Sequence, residues 1–377
     1  MESSPAAAGR PDGEVVVVLR NLAQTLRSLL GRIREGEARE SNEVFNQQRF
    51  WDTLGQAFQA TSQEATKLSL AFSKPPLPSA EDCQKLSEGL QNAVLAAATV
   101  YYWLPKSQGM TLRKSLRDAI AEMVEGAIQL TEVILKTPLQ SLSQEQLMST
   151  GGLWEACDQV SRLPRDNHAA VLLVIAAYLG VVKDALVEME QAQVDNVDPF
   201  GDVLEDEELG APGNQDTYWS EADRQLIAPC MGLIKASKAC LKKVIAAVKA
   251  HGKADTPEHV AQLDDLADIT NEVSPSVDEL ALSMYPPVNH LAVRFNTDGL
   301  RIPPMAAQEW RQGFTCGVNI DSKRLGAAKL ASVLKKVLEI SESSHTCVES
   351  EVSWIQFLNG VVDHNMNKIK DLTQNAL

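Results

Sequence analysis

Apolar residues in this chain recur at alternating steps of three and four, and segment after segment ends at proline or glycine. That period places one apolar stripe along one side of an α-helix, and no stretch carries the period of two expected of a half-buried strand. The first stripe is Val15, Leu19, Leu22, Leu26, Leu29 and Ile33, with Gly36 as its stop. The second, starting near Ser41 or Asn42, is Trp51, Leu54, Phe58, Thr61, Ala65, Leu68 and Phe72. Pro75, Pro76 and Pro78 end it, because proline lacks the amide hydrogen and clashes with the preceding turn. Ser79 then offers a cap, with Asp82 three residues on.

Further stripes follow: Leu86 to Leu104, Leu112 to Ile134, and a capped helix from Ser143 through Trp154 to Leu163. Pro164 precedes a long helix from about Arg165 to Gln193, and Ser220 with Asp223 opens another in the pattern of a capping box. Pro229 lies inside that pattern, so the helix either bends there or starts there. A helix through Val260, Leu263, Leu266 and Thr270 breaks at Pro275 and resumes through Val277, Leu280 and Met284. Two more span Leu330 to Ile340 and Val352 to Leu372.

Long helices joined by short turns predict antiparallel neighbours. The expected architecture is all-α, with two antiparallel helical bundles joined by an acidic linker. Residues 1–13 read as a disordered tail, 14–194 as an N-terminal bundle, 195–217 as the linker and 218–377 as a C-terminal helical domain. Residues 297–326 carry Gly299, Pro303, Pro304, Gly313 and Gly317 with little periodicity, and read as an irregular insertion.

Charge and motifs narrow the function. The net charge of -15, from 35 basic and 50 acidic residues, opposes direct DNA binding, which needs clustered Lys and Arg. The six cysteines are far apart and none forms a Cys-x-x-Cys pair, which fits buried thiols in a reducing, intracellular setting. No basic stretch followed by an apolar core opens the chain, so no secretory signal is expected. The apolar runs near 93–105 and 169–182 fall short of the roughly 18 residues a membrane span needs, and read as buried helices. Phosphate-binding glycine loops, dinucleotide fingerprints and zinc-protease spacing are missing, and the six histidines are scattered. Ser332 and Lys335 match a Ser-x-x-Lys pattern without its partner motifs. The expectation is a non-enzyme without metal or cofactor.

The candidate partner-binding residues lie in and beside the acidic linker: Asp202, Glu205, Asp206, Glu207, Glu208, Tyr218 and Trp219. No Lys or Arg occurs between Lys183 and Arg224, so the stretch can act as a docking strip for a basic partner. A solvated spacer explains the carboxylates equally well. For Trp219, packing at the helix entry competes with partner contact.

The words Asn214-Gln215-Asp216-Thr217-Tyr218-Trp219-Ser220-Glu221 and Lys235-Ala236-Ser237-Lys238-Ala239-Cys240-Leu241-Lys242-Lys243 resemble the cyclin-D-binding protein 1 family. So do Val260-Ala261-Gln262-Leu263-Asp264-Asp265, Ser274-Pro275-Ser276-Val277-Asp278, Tyr285-Pro286-Pro287 and Pro164-Arg165-Asp166-Asn167. The resemblance implies an N-terminal bundle like those of vinculin and α-catenin. It implies binding to a D-type cyclin and to a Grb2-type adaptor, and lower retinoblastoma-protein phosphorylation and cell-cycle gene transcription. It implies both cytoplasmic and nuclear pools. The family's helix-loop-helix-like label adds helix-loop-helix transcription factors as partners. With only Arg162 and Arg165 before the first helix of that pair, such partners would be sequestered off DNA. Residues 297–326 depart from the family pattern, in which Val293-Arg294-Phe295-Asn296 leads almost directly into Ala328-Lys329-Leu330. The competing expectation is a helical-bundle adaptor or scaffold of the adhesion or signalling type.

Overall fold

The computed structural model describes residues 11–36, 45–136, 142–195, 219–285 and 326–375. Helices account for its regular structure, and no strand occurs among the described residues. The chain separates into two compact units, Met1–Ala170 and Val171–Leu377.

The N-terminal unit contains α1 (Pro11–Glu35), α2 (Gln47–Ala71), α3 (Ala80–Trp103), α4 (Met110–Lys136) and α5 (Gln144–Asp158). Every residue of the first two predicted stripes is buried, from Val15 to Ile33 and from Trp51 to Phe72. Arg27 pairs with Glu132 and Arg34 with Glu125, in opposite sequence order, so α1 and α4 are antiparallel. Helix α1 begins at Pro11, inside the expected 1–13 tail; residues 1–10 lie outside the described residues. Helix α2 begins at Gln47, later than Ser41 or Asn42, because Asn46 in extended backbone accepts the Arg49 amide and supplies the cap. Ser79 and Ser143 cap α3 and α5 as the sequence predicts.

Helix α5 is held on two sides. Ser69 meets the Thr150 hydroxyl at 2.8 Å, the Gln146 amide donates to the Ser69 carbonyl at 2.8 Å, and Trp154 Nε1 donates to Thr66 Oγ1 at 2.9 Å. Those pairs again run in opposite order, so α2 and α5 are antiparallel. Against α4 the approach is close: a β-carbon at Gly126 would stand 3.3 Å from the Leu153 Cα.

The C-terminal unit holds most of α6 (Asn167–Asp195), with α7 (Glu221–His251), α8 (Pro257–Asn271), α9 (Val273–Met284), α10 (Gly326–Ser343) and α11 (Glu349–Asn375). Pro229 lies within a continuous α7, and Pro275 sits in the first turn of α9, where its missing amide hydrogen has no intrahelical partner to lose. The pattern had placed a boundary at 194/195, whereas the contacts divide the chain between Ala170 and Val171. Val171, Ile175, Leu179, Val182, Leu186 and Met189 of α6 belong to one hydrophobic cluster with Leu226, Ile227, Leu263 and Leu280. Lys235 of α7 pairs with Glu190 of α6 at 3.2 Å. The acidic stretch therefore joins two helices of one unit, rather than one bundle to another.

Helix α6 also departs from the apolar-run estimate. Within Asn167–Val194 an 18-residue window reaches a mean hydropathy of 2.2, and by length and composition alone the helix is long and apolar enough to cross a membrane. Its buried side chains account for part of that character; Leu173, Val181, Val187 and Val194 are exposed. The insertion at 297–326 lies outside the described residues except for Gly326, the first residue of α10.

Candidate partner-binding site

Of the residues expected to meet a partner, Asp202, Glu205, Asp206, Glu207, Glu208 and Tyr218 lie outside the described residues. Trp219 is described, and it is only 5% exposed. Its indole Nε1 donates to the Met284 carbonyl at 2.7 Å. Met284 is the last residue of α9, so its carbonyl is among those a helix end leaves without an intrahelical donor. Trp219 thus fastens the entry of α7 to the exit of α9 and is a packing residue, which removes it from the exposed contact set. A hydrophobic staple is not the reason, since the fourth position of α7 is Arg224. The acceptor, 65 residues downstream, left no mark in the local sequence.

The next residues set the direction of the helix. Ser220 Oγ accepts the Asp223 amide at 3.2 Å, and Asp223 Oδ2 accepts the Ser220 amide at 2.9 Å. This reciprocal box satisfies two amides of the first turn. The acidic stretch consequently ends on a buried anchor, Trp219, and begins beyond the buried Met189 of α6. Among the described residues, Asp278 of α9 is pushed up first by burial and then by the charge of Glu188 on α6.

A second polar cluster lies where α7, α8 and the turn before α11 meet. The His345 ring stacks on His259 with centroids 4.2 Å apart. His345 Nδ1 lies 2.7 Å from Gln262 Oε1, and its Nε2 accepts the Lys253 amide at 2.9 Å. A ring that accepts at Nε2 must donate at Nδ1, so the network holds His345 neutral. His259 Nδ1 meets Asp255 Oδ1 at 2.6 Å. A cavity of about 260 Å³ opens beside them, lined by His251, Lys253, His259, His345 and Val348 among others. The His345 bonds tie segments more than eighty residues apart in the chain, so His345 acts as a fastener. No cluster among the described residues could hold a metal ion.

Cys83, Cys157, Cys230 and Cys240 are buried thiols, as their wide spacing predicts. Burial pushes Cys157, Cys230 and Cys240 up to about 12, a range in which a thiol is a poor nucleophile.

Comparison with known proteins places these elements in a family. The model described as Grap2 and cyclin-D-interacting, N-terminal, matches residues 53–195, and its C-terminal counterpart matches 204–302. The Cyclin-D1-binding protein 1 homolog of Xenopus laevis is 64% identical over 359 residues, covering 95% of this chain and 99% of that protein. The homolog of Danio rerio is 50% identical over 361 residues, covering 95% and 96%. Cyclin-D1-binding protein 1 of Homo sapiens is 45% identical over 388 residues, covering 100% and 98%. With two helical units, an acidic connection inside the second and similarity along nearly its whole length, the chain belongs to the Grap2 and cyclin-D-interacting family.

Proposed function

We propose that this chain binds a D-type cyclin and acts as a non-enzymatic negative regulator of cell-cycle progression. In that role it lowers cyclin-dependent phosphorylation of the retinoblastoma protein and transcription of cell-cycle genes. A Grb2-type adaptor is a second partner, helix-loop-helix transcription factors are a third class, and the protein works in both cytoplasm and nucleus. The observation that carries the reading is the 64% identity, over 99% of its length, to a protein named for cyclin D1 binding. Identity at that level preserves the fold on which binding depends. The net charge of -15 suits a surface that recruits basic segments of protein partners.

The test is a titration of purified cyclin D1 against the full chain and against a form lacking 297–326. Micromolar or tighter binding by both supports the reading and makes the insertion passive. Binding by the shortened form alone marks the insertion as inhibitory. If both fold and neither binds, the cyclin reading fails and the scaffold reading replaces it.

A further inference from the structure

From Arg224 to Ala254 the chain carries no Asp or Glu, although its net charge is -15. Most of that stretch is helix α7, and its lysines are not scattered around the helix. At 100° per residue, Lys235, Lys238, Lys242 and Lys249 fall within a sector of about 60° and span about 21 Å along the axis, with Lys243 beside them. Lys235, Lys242, Lys243 and Lys249 are exposed and Lys238 is half-buried. The opposite side of α7, with Leu233, Cys240, Val244 and Val248, is buried. The basic stripe is therefore the solvent face of a core helix.

The helices on either side leave that charge largely uncompensated. Helix α11 runs antiparallel beside α7: a β-carbon at Gly232 would stand 2.2 Å from Asn365 Oδ1, and the Lys253 amide donates to His345 just before α11. That register brings Phe357, which is 68% exposed, level with Leu241, between Lys238 and Lys243. Most carboxylates of α6 and α11 near this span are engaged. Glu190 pairs with Lys235, Glu351 accepts from Trp354 Nε1, Asp363 pairs with Lys335 of α10, and Glu188 acts on Asp278 of α9. Asp184 and Glu349 remain, against Lys183 and four stripe lysines. Those four, Lys238, Lys242, Lys243 and Lys249, form no ion pair among the described residues.

We infer that the α7–α11 face of the C-terminal unit binds a short acidic segment of a partner protein, with its carboxylates on Lys238, Lys242, Lys243 and Lys249 and an apolar side chain against Phe357. Charge complementarity names the occupant: a basic cluster with an aromatic neighbour recognises acidic motifs that carry apolar residues. The length of the stripe limits it. Screening confines the attraction to about 8 Å at physiological salt, so only the residues over the stripe are drawn in. A nucleic acid or an anionic membrane extends its charge past the stripe, onto a chain that is more acidic still outside α7. The inference does not rest on the cyclin reading, which calls on the chain's acidic surface.

The test uses the full chain and two short fluorescent peptides, one rich in Glu with two leucines, the other with Gln at every Glu position. Anisotropy titrations are run at physiological salt. The wild-type chain should bind the Glu peptide at least about tenfold more tightly than the Gln peptide. K242E/K243E/K249E, which alters exposed positions only, should weaken Glu-peptide binding at least about tenfold with an unchanged circular dichroism spectrum. F357S should weaken it by a smaller factor. K74E/K106E/K114E makes the same change in net charge at exposed positions of the N-terminal unit and should bind as wild type. The inference is overturned if the Glu peptide does not bind, if K242E/K243E/K249E binds as wild type, or if K74E/K106E/K114E loses as much. Tighter binding of a DNA duplex or of phosphatidylserine vesicles than of the Glu peptide, abolished by K242E/K243E/K249E, would overturn the choice of a protein partner. Binding that appears only after residues 198–208 are deleted would assign the stripe to the chain's own acidic stretch instead.

Discussion

The indole Nε1 of Trp219 donates to the carbonyl of Met284 at 2.7 Å, joining the entry of one helix to the exit of another 65 residues away. Trp219→Phe keeps the ring and strands the carbonyl, which should cost about 1–3 kcal/mol. Trp219→Ala also opens a cavity and should cost about 3–5 kcal/mol. Urea unfolding followed by circular dichroism measures both. Below its unfolding transition the Phe variant should bind partners like the wild type, because the side chain is buried; weaker binding would restore Trp219 as a contact residue.

Gly109 and Asn167 form a second long-range lock, in the N-terminal unit. Gly109 has φ +107°, and a β-carbon there would stand 2.0 Å from the Asn167 side chain. Asn167 is 1% exposed, and its Oδ1 accepts the Leu112 amide at 3.0 Å, capping α4 from 55 residues away. Gly109→Ala should destabilise the chain by at least about 1–3 kcal/mol through strain and displacement of Asn167. Asn167→Ala should cost about 1–2 kcal/mol through the lost cap. The double variant should lose less than the two single losses together, since both act on one contact. Additive losses in thermal unfolding would separate the two residues.

His345 makes stability depend on pH. Burial, then the neighbouring His259, holds its imidazole below the usual value of 6.5. Lys253 and Asp255 are the other charged groups that act on it, in opposite directions. The unfolded chain thus takes up its proton at higher pH than the folded one. The contribution of His345 is complete above pH 6.5 and is lost as pH falls from there through the folded value. Urea midpoints between pH 7.5 and 5 should fall for the wild type, and less steeply for His345→Gln. Equal slopes would show that other groups carry the dependence.

Thiol labelling reads the burial of the cysteines. In the native protein at pH 8, Cys157, Cys230 and Cys240 should resist iodoacetamide, being buried and held at about 12. Half-buried Cys347, pushed up only by burial and nearby glutamates, should label faster. Peptide mass spectrometry after timed labelling gives the order, and full labelling of all of them in urea is the control. Rapid native labelling of Cys230 or Cys240 would contradict the C-terminal core.

The sequence by itself determined the helices. The three-and-four spacing of Val15 to Ile33 and Trp51 to Phe72, and the caps at Ser79, Ser143 and Ser220, are local signals read within a few turns of chain. Resemblance in short ordered words identified the family, which the comparisons then bore out. Tertiary structure decided which helices share a core. An apolar stripe specifies burial but not the neighbour that provides it, so α6 had been grouped with the helices before it, whereas most of it packs with those after it. The same reason moved Trp219 from contact residue to anchor, and concealed Asn167 as the cap of α4. Both depend on partners more than fifty residues away, whose side chains and carbonyls carry no trace of the pairing in the local pattern. The exposed face of α5 was hidden likewise. Its polar and apolar residues are mixed around the helix, and only packing against α2 and α4 settles which of them remain in water.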